Sequence, residues 1–132
     1  MGTFVTLAEA QEYFTGDRFA TESGMTIRAL GKDFAETEMT LNEHHKNANG
    51  GVMGGVIFTL ADFAFAVCVN QIHRPTVAQQ VSINYLGAPK GKQLFAKAVC
   101  RKNGRTTTIV NVDVTDETGR DVAQFTGTGF KL

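Results

Sequence analysis

The chain has 132 residues, with 13 Lys or Arg against 13 Asp or Glu and two cysteines. This length buries roughly two thirds of the surface its unfolded form exposes, so the expectation is one domain, 1–132, that folds without staples. Zero formal charge leaves no basic field for nucleic acid or an anionic membrane. With no export signal at the N-terminus, Cys68 and Cys100 are expected as free thiols of a cytoplasmic protein.

Thr6-Leu7-Ala8-Glu9 fits a capping box, with Thr6 as N-cap and Glu9 reaching back. The short helix it opens, within residues 1–16, should pack through Ala8, Tyr13 and Phe14 and end near Gly16. From Met25 the pattern becomes alternating: 25–30 and 36–41 read as strands joined through Gly31-Lys32-Asp33. Residues 42–53 carry no periodicity and read as a loop.

An apolar helix follows from about Val56 to Ile72, ended by Pro75, which disfavours helical backbone at the residue before it. It is near the short limit for crossing a bilayer. Asp62 at its centre and the strands around it argue instead for the buried helix of a soluble fold. A lone carboxylate in an apolar helix is unfavourable unless paired, so Asp62 implies a distant partner or a chemical task. Just before the helix stand His45, Asn47, Gly50, Gly54 and Gly55, a polar, glycine-rich approach to its N-terminus.

Residues 77–85, 94–102, 106–115 and 121–131 then read as four strands. Asn103-Gly104 between two of them is a type I′ hairpin signal, which needs positive φ at both central residues. In the third strand Val110, Val112 and Val114 should face the core, with Asn111 and Asp113 facing out. The order β-β-α-β-β-β-β places one long helix against one face of an antiparallel sheet. Nothing in these strands covers the other face, which points to a second subunit at the sheet or its edge.

The segment His45-Lys46-Asn47-Ala48-Asn49-Gly50-Gly51-Val52-Met53-Gly54-Gly55, followed after four residues by Leu60-Ala61-Asp62, resembles the active-site motif of hotdog-fold acyl-CoA thioesterases of the phenylacetate-pathway (PaaI-like) type. The spacing matches without a gap, and the element order is similar over residues 17–132. The resemblance implies an α+β hotdog fold, an antiparallel sheet of five to six strands wrapped around one long central helix. It also implies a homodimer or homotetramer, with active sites at the dimer interface. Asn47 would hydrogen-bond the thioester carbonyl or position the substrate. The Gly54 N–H would meet the developing oxyanion at the helix N-terminus. Asp62, from the facing subunit, would be nucleophile or general base. His45, Gly55 and Met53 would border the substrate, His45 serving more to fix the loop than to take part in the chemistry.

The pattern is broken at Met53, where the family commonly carries His; a thioether neither titrates nor donates a hydrogen bond. Relatives also often have Ser or Thr early in the strand after the helix, where this chain offers Ala78, Gln79, Gln80 and Ser82. Lys102 and Arg105, with Arg74, Lys90 and Lys92 as further options, are candidates for the phosphates of coenzyme A. Neither a metal nor a separate cofactor is expected, coenzyme A being part of the substrate. The expected function is hydrolysis of acyl-CoA thioesters. The alternatives are a non-catalytic acyl-CoA or small-ligand binder, suggested by Met53, and a hydratase, disfavoured because no His lies between His45 and His73.

Overall fold

The computed structural model describes residues 2–132. Helix α1, Leu7–Tyr13, begins as expected: the Thr6 hydroxyl accepts the Glu9 N–H at 3.1 Å. Glu9 reaches back one residue further, to the Val5 N–H at 3.2 Å. Ala10, not Ala8, is the buried alanine of this helix. Phe14 is buried and Tyr13 is exposed, though the Tyr13 ring stacks on Phe4 and Phe14 at centroid distances of 5.3 and 5.1 Å. A 3₁₀ turn, Phe14–Gly16, leads into a second short helix, α2, Arg18–Glu22. The pattern reading contains no α2, because one helical turn is too short to show a period.

The strands are β1 Thr26–Leu30, β2 Phe34–Thr40, β3 Thr76–Tyr85, β4 Gln93–Asn103, β5 Thr107–Asp116 and β6 Asp121–Lys131. They form one antiparallel sheet in the order β1-β2-β4-β5-β6-β3. Helix α3, Gly54–Ile72, lies across its concave face. Alternation decides which side chains meet the helix. Leu94, Ala96 and Ala98 of β4 and Val110, Val112 and Val114 of β5 are buried, while Asn111 and Asp113 face solvent. From α3, Leu60, Ala61, Ala64, Phe65, Val67 and Cys68 fill the space between. Truncating Leu60 or Phe65 to Ala here should cost about 2–5 kcal/mol through lost transfer energy and the cavity left behind. This is the hotdog architecture, with six strands around one helix.

The β4–β5 hairpin corrects the expected type I′ turn. Neither Asn103 nor Gly104 has positive φ. Asn103 pairs with Thr108, and the Gly104 N–H donates to the Thr107 carbonyl at 2.8 Å. The reason lies in the core. A two-residue turn would oppose Lys102 to Arg105 and, carried back along the strands, Ala96 to Asn111. That shift would turn one strand's apolar face outward. The observed register opposes Ala96 to Val114 and Ala98 to Val112, so core burial overrides the local turn preference.

Both thiols are free. Cys68 is buried against the Asp33 carbonyl at 3.6 Å, and burial pushes its thiol up to about 12. The C-terminal end of α3 is closed by side chains. Asn70 donates to the Ala66 carbonyl at 2.8 Å and accepts the Thr76 N–H at 3.0 Å, and Gln71 accepts the Phe4 N–H at 2.9 Å. The helix is apolar and long enough to cross a membrane, but 61% of its window is buried inside this fold, as a core helix would be.

Candidate active site

The loop before α3 is more ordered than its composition suggests. Asn42 caps a one-turn 3₁₀ segment, Glu43–His45, by accepting the His44 N–H at 2.9 Å. Lys46 bridges to Val52, the Asn47 N–H donates to the Gly51 carbonyl at 2.7 Å, and the Met53 N–H donates to the His45 carbonyl at 2.8 Å. Gly50 makes the reversal at φ +85°, a conformation that favours glycine. His45 is the post of this loop. It is buried; its Nδ1 accepts the Asn42 N–H and its Nε2–H donates to the Ser23 carbonyl, both at 2.9 Å. Those bonds leave no ring nitrogen for a ligand, which fits His45 as a residue that fixes the loop and leaves no place for a substrate contact through its ring.

Asn47 is exposed. Its Oδ1 accepts the N–H groups of Asn49 at 2.9 Å and Gly51 at 3.1 Å, and its NH₂ meets no acceptor among the described residues. The bonds aim the side chain while keeping its donor free. Met53 is the N-cap of α3 and supplies no capping side chain. The amides of Gly54 and Gly55 meet no acceptor among the described residues, so the positive end of a 19-residue helix dipole is open. The Tyr85 hydroxyl donates to the Gly54 carbonyl at 3.1 Å, and a Cβ at Gly54 would sit 3.3 Å from the Tyr85 ring. Tyr85 was absent from the sequence reading, since only the fold brings the end of β3 over the start of α3. Gly55 is flanked by the Met53 thioether, which is itself exposed.

Asp62 is half-buried, and its carboxylate has neither hydrogen bond nor cation among the described residues. Burial first, and the charge of Asp17 second, hold it above the usual carboxylate range. It borders two cavities of about 260 and 340 Å³. The larger is walled by Pro75 to Ala78 at the start of β3. Among the positions where relatives often carry a hydroxyl, Ala78 lines this cavity, and it has none to offer. Asp62 follows Gly54 by eight residues, so about 12 Å of helix rise separates them. One chain alone does not bring Asp62 to the Asn47–Gly54 loop.

The cations divide likewise. Lys46, Lys90 and Lys92 border a cavity of about 570 Å³ beside Gly50 and Gly51. Lys102 lines a different cavity with Gln71 and Ile72, at the other end of α3, and Arg105 is on the nearby hairpin tip. Within one chain, about 27 Å of helix lies between Gly54 and that end. The sequence reading could not see this, because only the β4–β5 register decides where the hairpin points.

Fold and site together describe a thioester hydrolase of the hotdog class. Residues 49–123 match the family described as the thioesterase superfamily. The chain is 28% identical to the acyl-coenzyme A thioesterase PaaI of Escherichia coli over 93% of its length and 89% of that protein. It is 33% identical to human acyl-coenzyme A thioesterase 13 over 66% of its length and 65% of that protein. A hypothetical thioesterase from Streptococcus pneumoniae, solved with coenzyme A, superposes with TM-score 0.81 at 30% identity, covering 89% of this chain and 94% of the other. This chain belongs to the thioesterase superfamily, in its PaaI-like hotdog branch.

Proposed function

We propose that this protein hydrolyses acyl-CoA thioesters at a site shared by two protomers, in which Asp62 of one faces Asn47 and Gly54 of the other. The observation that carries this reading is a complementary pair of unmet groups. Among the described residues Asp62 is a half-buried carboxylate with no partner, and the loop presents an Asn NH₂ and a helix N-terminal N–H with no acceptor. A thioester carbonyl between them meets the donors, which strengthen as charge develops on its oxygen. Water or the Asp62 carboxylate attacks the carbon, and the coenzyme A thiolate leaves.

The free edge of β3 supports the pairing. β3 is bonded only to β6 and is largely exposed along its length. An unpaired edge of this kind is a template for a second chain. Because the start of β3 walls the Asp62 cavity, a copy docked there would bring its own loop close to Asp62. A dimer so formed, or a tetramer of two dimers, completes the site. Met53 cannot polarise the carbonyl, so that task falls to the Asn47 NH₂ and the Gly54 N–H. Lys90 and Lys92, bordering the large cavity beside the loop, suit the coenzyme A phosphates better within one chain than Lys102 and Arg105. No cofactor beyond the substrate's own coenzyme A enters the reading, and free thiols suit a cytoplasmic setting.

The test is release of free thiol from a panel of aromatic and aliphatic acyl-CoAs, with Asp62→Ala and Asp62→Asn assayed alongside. The expected result is turnover of at least one acyl class that both variants abolish. Wild-type rates equal to those of the variants across the panel would reject the reading.

A further inference from the structure

Asp17 occupies the N-cap position of α2, where an aspartate ordinarily accepts the N–H of the second or third helical residue. Here, at φ −79° and ψ 73°, its side chain makes no such bond. Other groups hold the short helix. The Thr21 hydroxyl donates to the Asp17 carbonyl at 3.0 Å, Ser23 to the Phe19 carbonyl at 2.8 Å, and Arg18 pairs with Glu22 at 2.6 Å. Released from capping, Asp17 borders the same two cavities as Asp62.

Among the described residues that line these cavities, the one cation is already paired. α2 brings Arg18, already taken by Glu22. α1 brings Tyr13, whose ring is covered by the Arg74 guanidinium at 4.9 Å. The cavity-lining residues of β3 and the rest of α3 bring no ionisable group. Two carboxylates that face the same cavities with no free cation beside them take up a proton more readily than either would alone.

We propose that Asp17 is a positioning residue of the hydrolytic site, a second carboxylate that shares with Asp62 the proton drawn from the attacking water. This rests on the reading of Asp62 given above and deepens it, because it assigns Asp62 the general-base role. An O–H bond of water breaks and its proton passes to the Asp62–Asp17 pair. The water oxygen bonds to the thioester carbon. As the C–S bond breaks, the departing sulfur takes the proton from the pair, giving free acid and thiol. Partial desolvation at the cavity wall holds both carboxyls above their usual range, although Asp17 itself is exposed and Asp62 half-buried. That makes the pair a stronger base than a free carboxylate in water.

The experiment is the pH profile of kcat/KM for the fastest acyl-CoA of the panel, measured on wild type, Asp17→Asn, Asp17→Glu and Asp62→Asn. Asp17→Asn should move the acidic limb down by more than about half a pH unit and lower the plateau about 3- to 10-fold, because a weaker base is left. Asp17→Glu should keep the limb where it is. An unmoved limb in Asp17→Asn overturns the proposal, even if the rate falls. Wild-type activity in Asp62→Asn would instead overturn the underlying reading, so the two failures are distinct. Asp17→Ser, a small uncharged residue favoured at helix N-caps, provides the same readout if Asp17→Asn does not fold. If neither folds, the side chain is structural and the proposal fails.

Discussion

Asp62 and Asp116 are both withdrawn from full solvent contact, and the protein treats them in opposite ways. Asp116 ends β5 and is saturated. It accepts the N–H groups of Lys90 at 2.7 Å, Gly91 at 3.1 Å, Thr118 at 2.9 Å and Arg120 at 3.1 Å, and the Thr118 hydroxyl at 2.6 Å. Those bonds, the Thr118 hydroxyl foremost, hold its carboxyl well below the usual range. Asp62 has none among the described residues, and burial lifts it. A carboxylate given five donors ties two loops together. One given none is left reactive. The same sequence makes both, so satisfaction by the fold, more than burial, separates the structural acid from the chemical one.

The comparison breaks most directly at Asp62. Asp62→Asn should lower kcat/KM by about 10³ or more, beyond what one oxyanion donor supplies. It should also raise the melting temperature at pH 7. A carboxyl lifted by burial disfavours the folded state while ionised, and that penalty fades as pH falls through its raised pKa. Activity lost together with stability gained is the signature of a group kept for chemistry; an unchanged or lowered melting temperature would count against that view.

Asn47→Ala should cost about 10²–10³ in turnover by removing one donor to the oxyanion. Mixing and reassociating the Asn47→Ala and Asp62→Asn chains gives a sharper test. In a two-fold dimer the hybrid holds one doubly damaged site and one intact site, so about a quarter of wild-type activity should return at random pairing. No recovery would mean that each chain uses its own Asp62 and Asn47.

Much of this was legible before any coordinates. Helix α3 and strands β3 to β6 lie within two residues of the boundaries that apolar periodicity and Pro75 suggested, because long elements repeat their burial signal many times. Asp62 was conspicuous for the same reason: it interrupts such a pattern. What escaped lacks repetition or depends on distance. Asp17 sits in a stretch too short for a period, and the role proposed for it rests on a cavity it shares with Asp62 across 45 residues of sequence. The hairpin at Asn103-Gly104 was misjudged because a local preference yielded to the register of a whole strand. His45 is a case between the two: its place in the motif suggested a residue that fixes the loop, and its two hydrogen bonds supply the partners that no sequence pattern names.

At the saturated end of the comparison, Asp116→Asn should leave kcat/KM nearly unchanged while lowering the melting temperature at pH 7 by several degrees. The sign with pH is set by the lowered pKa. The stabilisation is present above the unfolded carboxylate range, near pH 4, and is lost as pH falls through the lower folded value. Wild type should therefore lose melting temperature on acidification below about pH 4, and the variant should lose less. Parallel melting curves for the two proteins across that window would show that the five donors are incidental.

The smallest effect is expected at Tyr85, where the end of β3 meets the start of α3. Its hydroxyl donates to the Gly54 carbonyl at 3.1 Å from a half-exposed position, so Tyr85→Phe removes a bond worth about 0.5–1.5 kcal/mol at most. The ring remains against Gly54, and the peptide that carries the open amides keeps its backing. The fall in kcat/KM should stay within about ten-fold, which is that same energy expressed as a rate. Tyr85→Ala removes the ring as well and should cost more, chiefly in kcat if the tyrosine steadies the helix start in the transition state. If both variants match wild type, Gly54 is held by the helix alone, and the contrast between a guarded acid and an open helix end loses its second support.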